Sequence, residues 1–241
     1  RRVDEPGQGS VMAETALIVG AGAGLSAALA RLFAAEGMAV ALTARDTGKL
    51  AELARETGAR AYVCDVAKPD DVAAMYDAVS NDLAFPDIVV FNPSARVRGP
   101  IAELDPAAVH AALDVTAFGA FLVGQSAARG MAARGSGSIL FTGASASIKG
   151  FANSAPFAMG KFALRGLAES MARELQPQNI HVAHFVIDGG ILKRNDPRAG
   201  ARGVDGLLDP AEIAKTYLHA HRQHRSAWTF EFALRPWSEK F

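Results

Sequence analysis

Residues 20–26, Gly20-Ala21-Gly22-Ala23-Gly24-Leu25-Ser26, set three glycines directly after a short aliphatic run and directly before a segment of helical period. Backbone without side chains at a strand-to-helix turn lets a pyrophosphate approach the first amide N–H groups and the positive end of the helix, with Leu25 opening that helix. A glycine turn alone can be purely structural; its place between strand and helix favours a dinucleotide. The second cue lies one strand later, in Thr43-Ala44-Arg45-Asp46. An acid at this strand tip bonds ribose hydroxyls and selects NAD, whereas an arginine pairs with a 2′-phosphate and selects NADP. Arg45 therefore points to NADP unless it is a solvated surface charge, and Asp46 keeps NAD open.

The elements that must hold these residues follow from an alternation of short β-branched runs with longer alanine-rich segments. That alternation predicts an α/β fold: a Rossmann-type, doubly wound, parallel seven-stranded sheet with helices on both faces. The predicted strands are 16–19, 39–43, 59–63, 88–91, 138–142, 180–187 and 227–234. The predicted helices are 25–36, 48–57, 70–83, 106–134, 154–175 and 210–221. Asp105-Pro106 and Asp209-Pro210 each place a capping acceptor before a proline at the first helical position. The last strand alternates Trp228, Phe230, Phe232 and Leu234 against Thr229, Glu231 and Ala233, as a half-buried edge strand does. One irregular stretch, 192–208, rich in glycine and charge, follows the sixth strand, where open α/β sheets bind ligands and carry lids.

Composition narrows the partners. The 241 residues are 50% hydrophobic, enough for one domain over 12–241. Twenty-five basic residues balance twenty-five acidic ones, which argues against nucleic acid as a partner. The single cysteine, Cys64, forms no internal disulfide and suits a reducing, cytoplasmic setting. Residues 1–11 are expected to be a disordered leader or appended remnant. The apolar stretch 16–30 is too short to span a bilayer, and its glycine turn and the acids before it do not suit a signal peptide. The histidines show no metal-ligand spacing beyond a surface pair, His221 and His224.

Gly20, Gly24 and Ser26 in a GxxxGxS pattern, Asp65-Val66 after the third strand, and Asn92 after the fourth make the chain similar to the short-chain dehydrogenase/reductase family from about Thr15 onward. The resemblance implies that Gly20, Gly22 and Gly24 cradle the pyrophosphate, that Asp65 and Val66 meet the adenine, and that Asn92 and Pro93 support the nicotinamide ribose side. Arg45 matches an NADP-selecting arginine. The family's YxxxK motif falls on Phe157-Ala158-Met159-Gly160-Lys161, so the tyrosine is a phenylalanine while Lys161 keeps a ribose-binding position. The family's serine falls on Ala144, with Ser145 beside it as the candidate replacement. The helix asparagine corresponds to Thr116, a residue able to hold a relay water. After the sixth strand, Asp188-Gly189 stands where Pro-Gly is usual, and Asp188 is either a proton handler beside the nicotinamide or a turn former.

By resemblance, the expected activity is an NADP- or NAD-dependent oxidoreduction of a small carbonyl or alcohol substrate through an atypical site. The competing expectation is a catalytically impaired dinucleotide-binding protein acting as a sensor, partner or structural subunit. A cofactor-free dehalogenase on this fold would keep the tyrosine and lose the glycines, the reverse of this chain. The resemblance also implies a homodimer or homotetramer packed on the helices at 106–134 and 154–175; no membrane partner is expected, the apolar stretch 16–30 being too short to span a bilayer.

Overall fold

The computed structural model describes residues 13–239, so the leader expected at 1–11 lies outside the described residues. Seven strands form one sheet: β1 (Thr15–Val19), β2 (Ala39–Ala44), β3 (Arg60–Val63), β4 (Ile88–Phe91), β5 (Gly137–Thr142), β6 (Ile180–Ile187) and β7 (Glu231–Leu234). All neighbouring pairs are parallel, in the order β3-β2-β1-β4-β5-β6-β7. The order reverses direction between β1 and β4, and the crevice beyond the carboxyl ends of those two strands is where an open α/β sheet receives its ligand.

Central strands buried on both faces explain the unbroken aliphatic runs. Ala16 and Ile18 of β1 face a core built with α1 (Leu25–Ala35) and α8 (Pro210–Arg222). Leu17 and Val19 face the opposite core, built with α3 (Pro69–Asp82), α5 (Gly119–Arg134) and α6 (Ala155–Leu175). A short α2 (Ala51–Thr57) follows a 3₁₀ turn at Gly48–Leu50. The Asp-Pro signals act as expected: the Asp105 carboxylate accepts from the N–H groups of Ala107 and Ala108 at the start of α4 (Pro106–Leu113), and Asp209 accepts from Ala211.

Two expectations are corrected. The helix predicted over 106–134 is divided into α4 and α5 by a π-helical turn at Asp114–Phe118. The widened turn brings the buried Thr116 hydroxyl to the N–H of Ala95 at 3.0 Å. Gly119, which opens α5, presses its Cα face against Val66, where any Cβ would lie 2.9 Å from Val66 Cγ2. The last strand begins at Glu231 rather than at 227, because Arg225–Ala227 is a 3₁₀ turn capped by the His224 side chain. Phe232 of this strand stacks on Phe185 in the first core, whereas Phe230, just before it, packs in the second.

The irregular stretch after β6 includes the one-turn α7 (Ala199–Arg202). It is pinned at its base by Leu208 N–H to Gly190 O (2.9 Å) and Leu192 N–H to Leu208 O (2.8 Å).

Candidate functional site

Two adjoining cavities open at the β1/β4 switch point and share Gly20, Asn92 and Ser94 in their walls. The larger, about 690 Å³, runs from the glycine turn past Thr142, Gly143 and Ala144 to Phe157, Lys161 and Gly189. The smaller, about 290 Å³, is lined by Ala44, Arg45, Lys49, Asp65, Val66, Pro93 and Val115, among others. Together they form a trough of the size and mixed polarity that ligand sites show.

The glycine turn is built for close approach. Gly20 has a left-handed φ of +76°, and a Cβ there would lie 2.6 Å from the Pro93 ring, so the β1 and β4 turns touch only because residue 20 has no side chain. Gly22 and Gly24 are the converse: nothing lies within 4 Å of a Cβ at either, and both face the cavity. Asn92 donates from Nδ2 to the Ser26 hydroxyl (2.6 Å), which in turn donates to Gly20 O (3.3 Å). That chain fixes the turn, with Leu25 on the cavity wall at the start of α1. Open space over amides at a helix start, beside a trough walled by Asp65 and Val66, fits a dinucleotide.

At the second strand tip, Arg45 and Lys49 both line the smaller cavity, and Asp46 does not. The Asp46 carboxylate is turned into its own loop, where it accepts from Gly48 N–H at 2.9 Å. Lys49 escapes sequence reasoning because a lone lysine in a loop has no periodic signal; its distance of four residues from Arg45 across a tight turn was the available hint.

Lys161 is 2% exposed and donates from Nζ to Thr142 O at 2.6 Å. Burial, and secondarily the charge of nearby Arg96, pull its pKa from the ordinary lysine range down to about 7. One helical turn earlier, the Phe157 ring lies under the Arg96 guanidinium, whose Cζ is 4.3 Å from the ring centroid. Arg96 was not anticipated from the sequence. The signal for it was its place in the loop after β4, at the carboxyl end of a strand next to the switch point.

Three expected residues are not brought to the cavity. Ser145 lies in a 3₁₀ turn, and Ala144 forms the wall in its place, with its N–H held by the Ser147 hydroxyl at 3.1 Å. Thr116 accepts Ala95 N–H on its hydroxyl and packs against Gly160, so it braces the β4 loop against α6. Asp188 does not line the cavity. It is buried beside Arg235, 3.6 Å away, and its N–H is held by Leu234 O, while Ile187, Gly189 and Gly190 make the wall. Among the described residues no tyrosine lines either cavity. Tyr217 touches a wall residue of the larger one, its hydroxyl 2.8 Å from Thr142 Oγ1. Gly143 has no room for a Cβ because the His184 ring lies against it, and burial drives the pKa of that histidine down to about 4.

Sequence and structure comparisons agree with this geometry. Residues 14–193 match the short chain dehydrogenase family. The chain is 33% identical over 180 residues to the cis-4-hydroxycyclohexanecarboxylate dehydrogenase of Sinomonas cyclohexanicum, covering 72% of each. It is similar to a short-chain dehydrogenase from Rhodopseudomonas palustris, with a TM-score of 0.80, 37% identity, and 93% and 99% of the two chains covered. A metagenomic short-chain oxidoreductase solved in complex with NADP superposes with a TM-score of 0.82 at 26% identity, covering 95% of this chain and 100% of the other.

Proposed function

Because the chain belongs to the short chain dehydrogenase family, we propose that it is an NADP-dependent oxidoreductase acting on a carbonyl or alcohol carbon, with Lys161 in place of the missing tyrosine as proton donor. The observation that carries this reading is the adjoining of the two cavities: Lys161 lines the larger and Arg45 the smaller, and the two share Gly20, Asn92 and Ser94 in their walls. The related protein solved with NADP supports the choice of cofactor. The relatives include a cis-4-hydroxycyclohexanecarboxylate dehydrogenase and a 3-oxoacyl-(acyl-carrier-protein) reductase, which support C–OH/C=O chemistry without singling out a substrate.

In this reading the amides after Gly20 hold the diphosphate, Asp65 and Val66 border the adenine, and Arg45 with Lys49 receives the 2′-phosphate. The bound cofactor supplies the hydride chemistry. Lys161 orients the nicotinamide ribose and, with a pKa near 7, gives its proton to the substrate oxygen at neutral pH. Phe157 and Ala144 line the reacting end without donating anything. The exposed faces of Phe118, Phe121, Met159 and Phe162 on the π-turn, α5 and α6 are the surface on which a homodimer or homotetramer would pack.

Cofactor choice supplies the test. A charge-assisted phosphate contact contributes about 1.5–3 kcal/mol, so the native chain should bind NADPH on the order of 10- to 100-fold more tightly than NADH. Replacing Arg45 and Lys49 with alanine should remove most of that preference by weakening NADPH alone. Fluorescence titration reads both constants. Equal affinities in the native chain would reject the NADP assignment, and no binding of either dinucleotide would reject the function.

A further inference from the structure

We propose that Arg96, laid on the Phe157 ring, is the receptor for a carboxylate on the substrate, so that this site takes hydroxy or oxo acids. The inference rests on the dinucleotide occupying the trough as above, and it concerns the end of the larger cavity beyond Lys161. The walls of that cavity contain Arg96, Lys161, Lys193 and Arg198, and no aspartate or glutamate. These cations are not equivalent. Arg198 is already neutralised by Asp196 at 2.6 Å, and Lys161 is directed at Thr142 O. Among the described residues no hydrogen bond or ion pair engages Arg96; its one recorded contact is the ring face of Phe157.

Stacking uses one face of a guanidinium and leaves the N–H groups in its plane free, in the forked geometry that matches both oxygens of a carboxylate. The stack also holds the fork in one orientation, so little side-chain freedom is lost when an anion arrives. Arg96 sits among like charges: partial burial, then Arg98, lowers its pKa, and it adds to the burial that lowers that of Lys161. Arg96 itself is solvent-exposed, and an anion there relieves its repulsion with Arg98 and with the buried Lys161, which a neutral substrate leaves in place. The glycine turn at the far end of the cavity has its own amides for the diphosphate, which leaves Arg96 to the substrate. Phe157 thereby has a use that needs no hydroxyl: it is the platform for the arginine.

The test uses benzoate and its neutral isostere benzamide, titrated calorimetrically into the full chain saturated with NADP. Benzoate should bind at least about tenfold more tightly than benzamide. Arg96→Gln should erase that difference, and Arg96→Lys should restore only part of it, because an ammonium makes no two-point contact. Arg96 has no protein hydrogen bond to lose, so thermal melting should show both variants folded. Equal binding of the two probes by the native chain, or discrimination that survives Arg96→Gln, overturns the proposal. If a separate NADPH titration shows no cofactor binding, it is the function above that has failed. Benzoate titrated into the cofactor-free native, Arg96→Gln and Lys161→Met chains then decides Arg96 on its own: loss of binding in Arg96→Gln alone supports it, and no loss there overturns it.

Discussion

Phe157→Tyr should raise the turnover of NADPH with a carboxylate-bearing ketone by about 10²-fold or more while leaving NADPH affinity within a few-fold of native. Positioned general acids contribute about 10²- to 10⁴-fold, and the substitution adds a phenol one helical turn from Lys161, in a ring position that already lines the cavity. The nearby ammonium favours the ionised phenol and so brings its pKa toward neutrality. A tyrosine ring supports the Arg96 stack as well as a phenylalanine ring does. The same assay separates the two functional classes. Slow but measurable turnover by the native chain fits Lys161 as its own proton donor. Tight NADPH binding with no native turnover, and activity only in the tyrosine variant, would identify a binding protein with the dinucleotide retained for sensing or structure.

Lys161→Met should weaken NADPH binding by about 10- to 100-fold and lower turnover by on the order of 10³-fold, without destabilising the chain. The residue donates one hydrogen bond, to Thr142 O, from an almost fully buried site. Exchanging a desolvated amine for a thioether of similar length therefore removes a burial cost as well as a contact. A melting temperature equal to or above native, together with lost binding, is the pattern that a merely structural lysine would not give. The pH dependence has a definite sign. Burial, then Arg96, lowers the pKa of Lys161 to about 7, so the ammonium is complete below pH 6 and is lost as pH rises through 7. Carbonyl reduction should therefore fall by up to about tenfold per pH unit above neutrality, and the residual activity of Lys161→Met should lack that slope. A native rate that climbs between pH 7 and 9 would show that Lys161 is not the donor.

Much of the scaffold was legible because its signals are periodic and local. The ends of β4 and β6 are where the aliphatic runs placed them, since a strand buried on both faces has no choice of register with solvent. The Asp105 and Asp209 caps were equally plain. The π-turn at Asp114–Phe118 was not, because it answers to a tertiary demand: the Ala95 N–H that Thr116 serves comes from 21 residues away. Ser145 is the polar neighbour of the expected position and Asp188 stands at such a position itself, but a turn decides which residue faces the crevice. Ala144 and the expected Gly189 form the wall, while Asp188 lies beside Arg235. Asp46 lies off the cavity wall for a similar local reason, its carboxylate closing its own loop on Gly48. Arg96 and Lys49 became visible only when folding set them against Phe157 and beside Arg45.

The most direct test of the account is a crystal structure grown with excess NADPH. It should show the diphosphate on the amides after Gly20, the 2′-phosphate between Arg45 and Lys49, and Lys161 Nζ within hydrogen-bond distance of the nicotinamide ribose. Cofactor density elsewhere, or an empty trough at saturating NADPH, would contradict it.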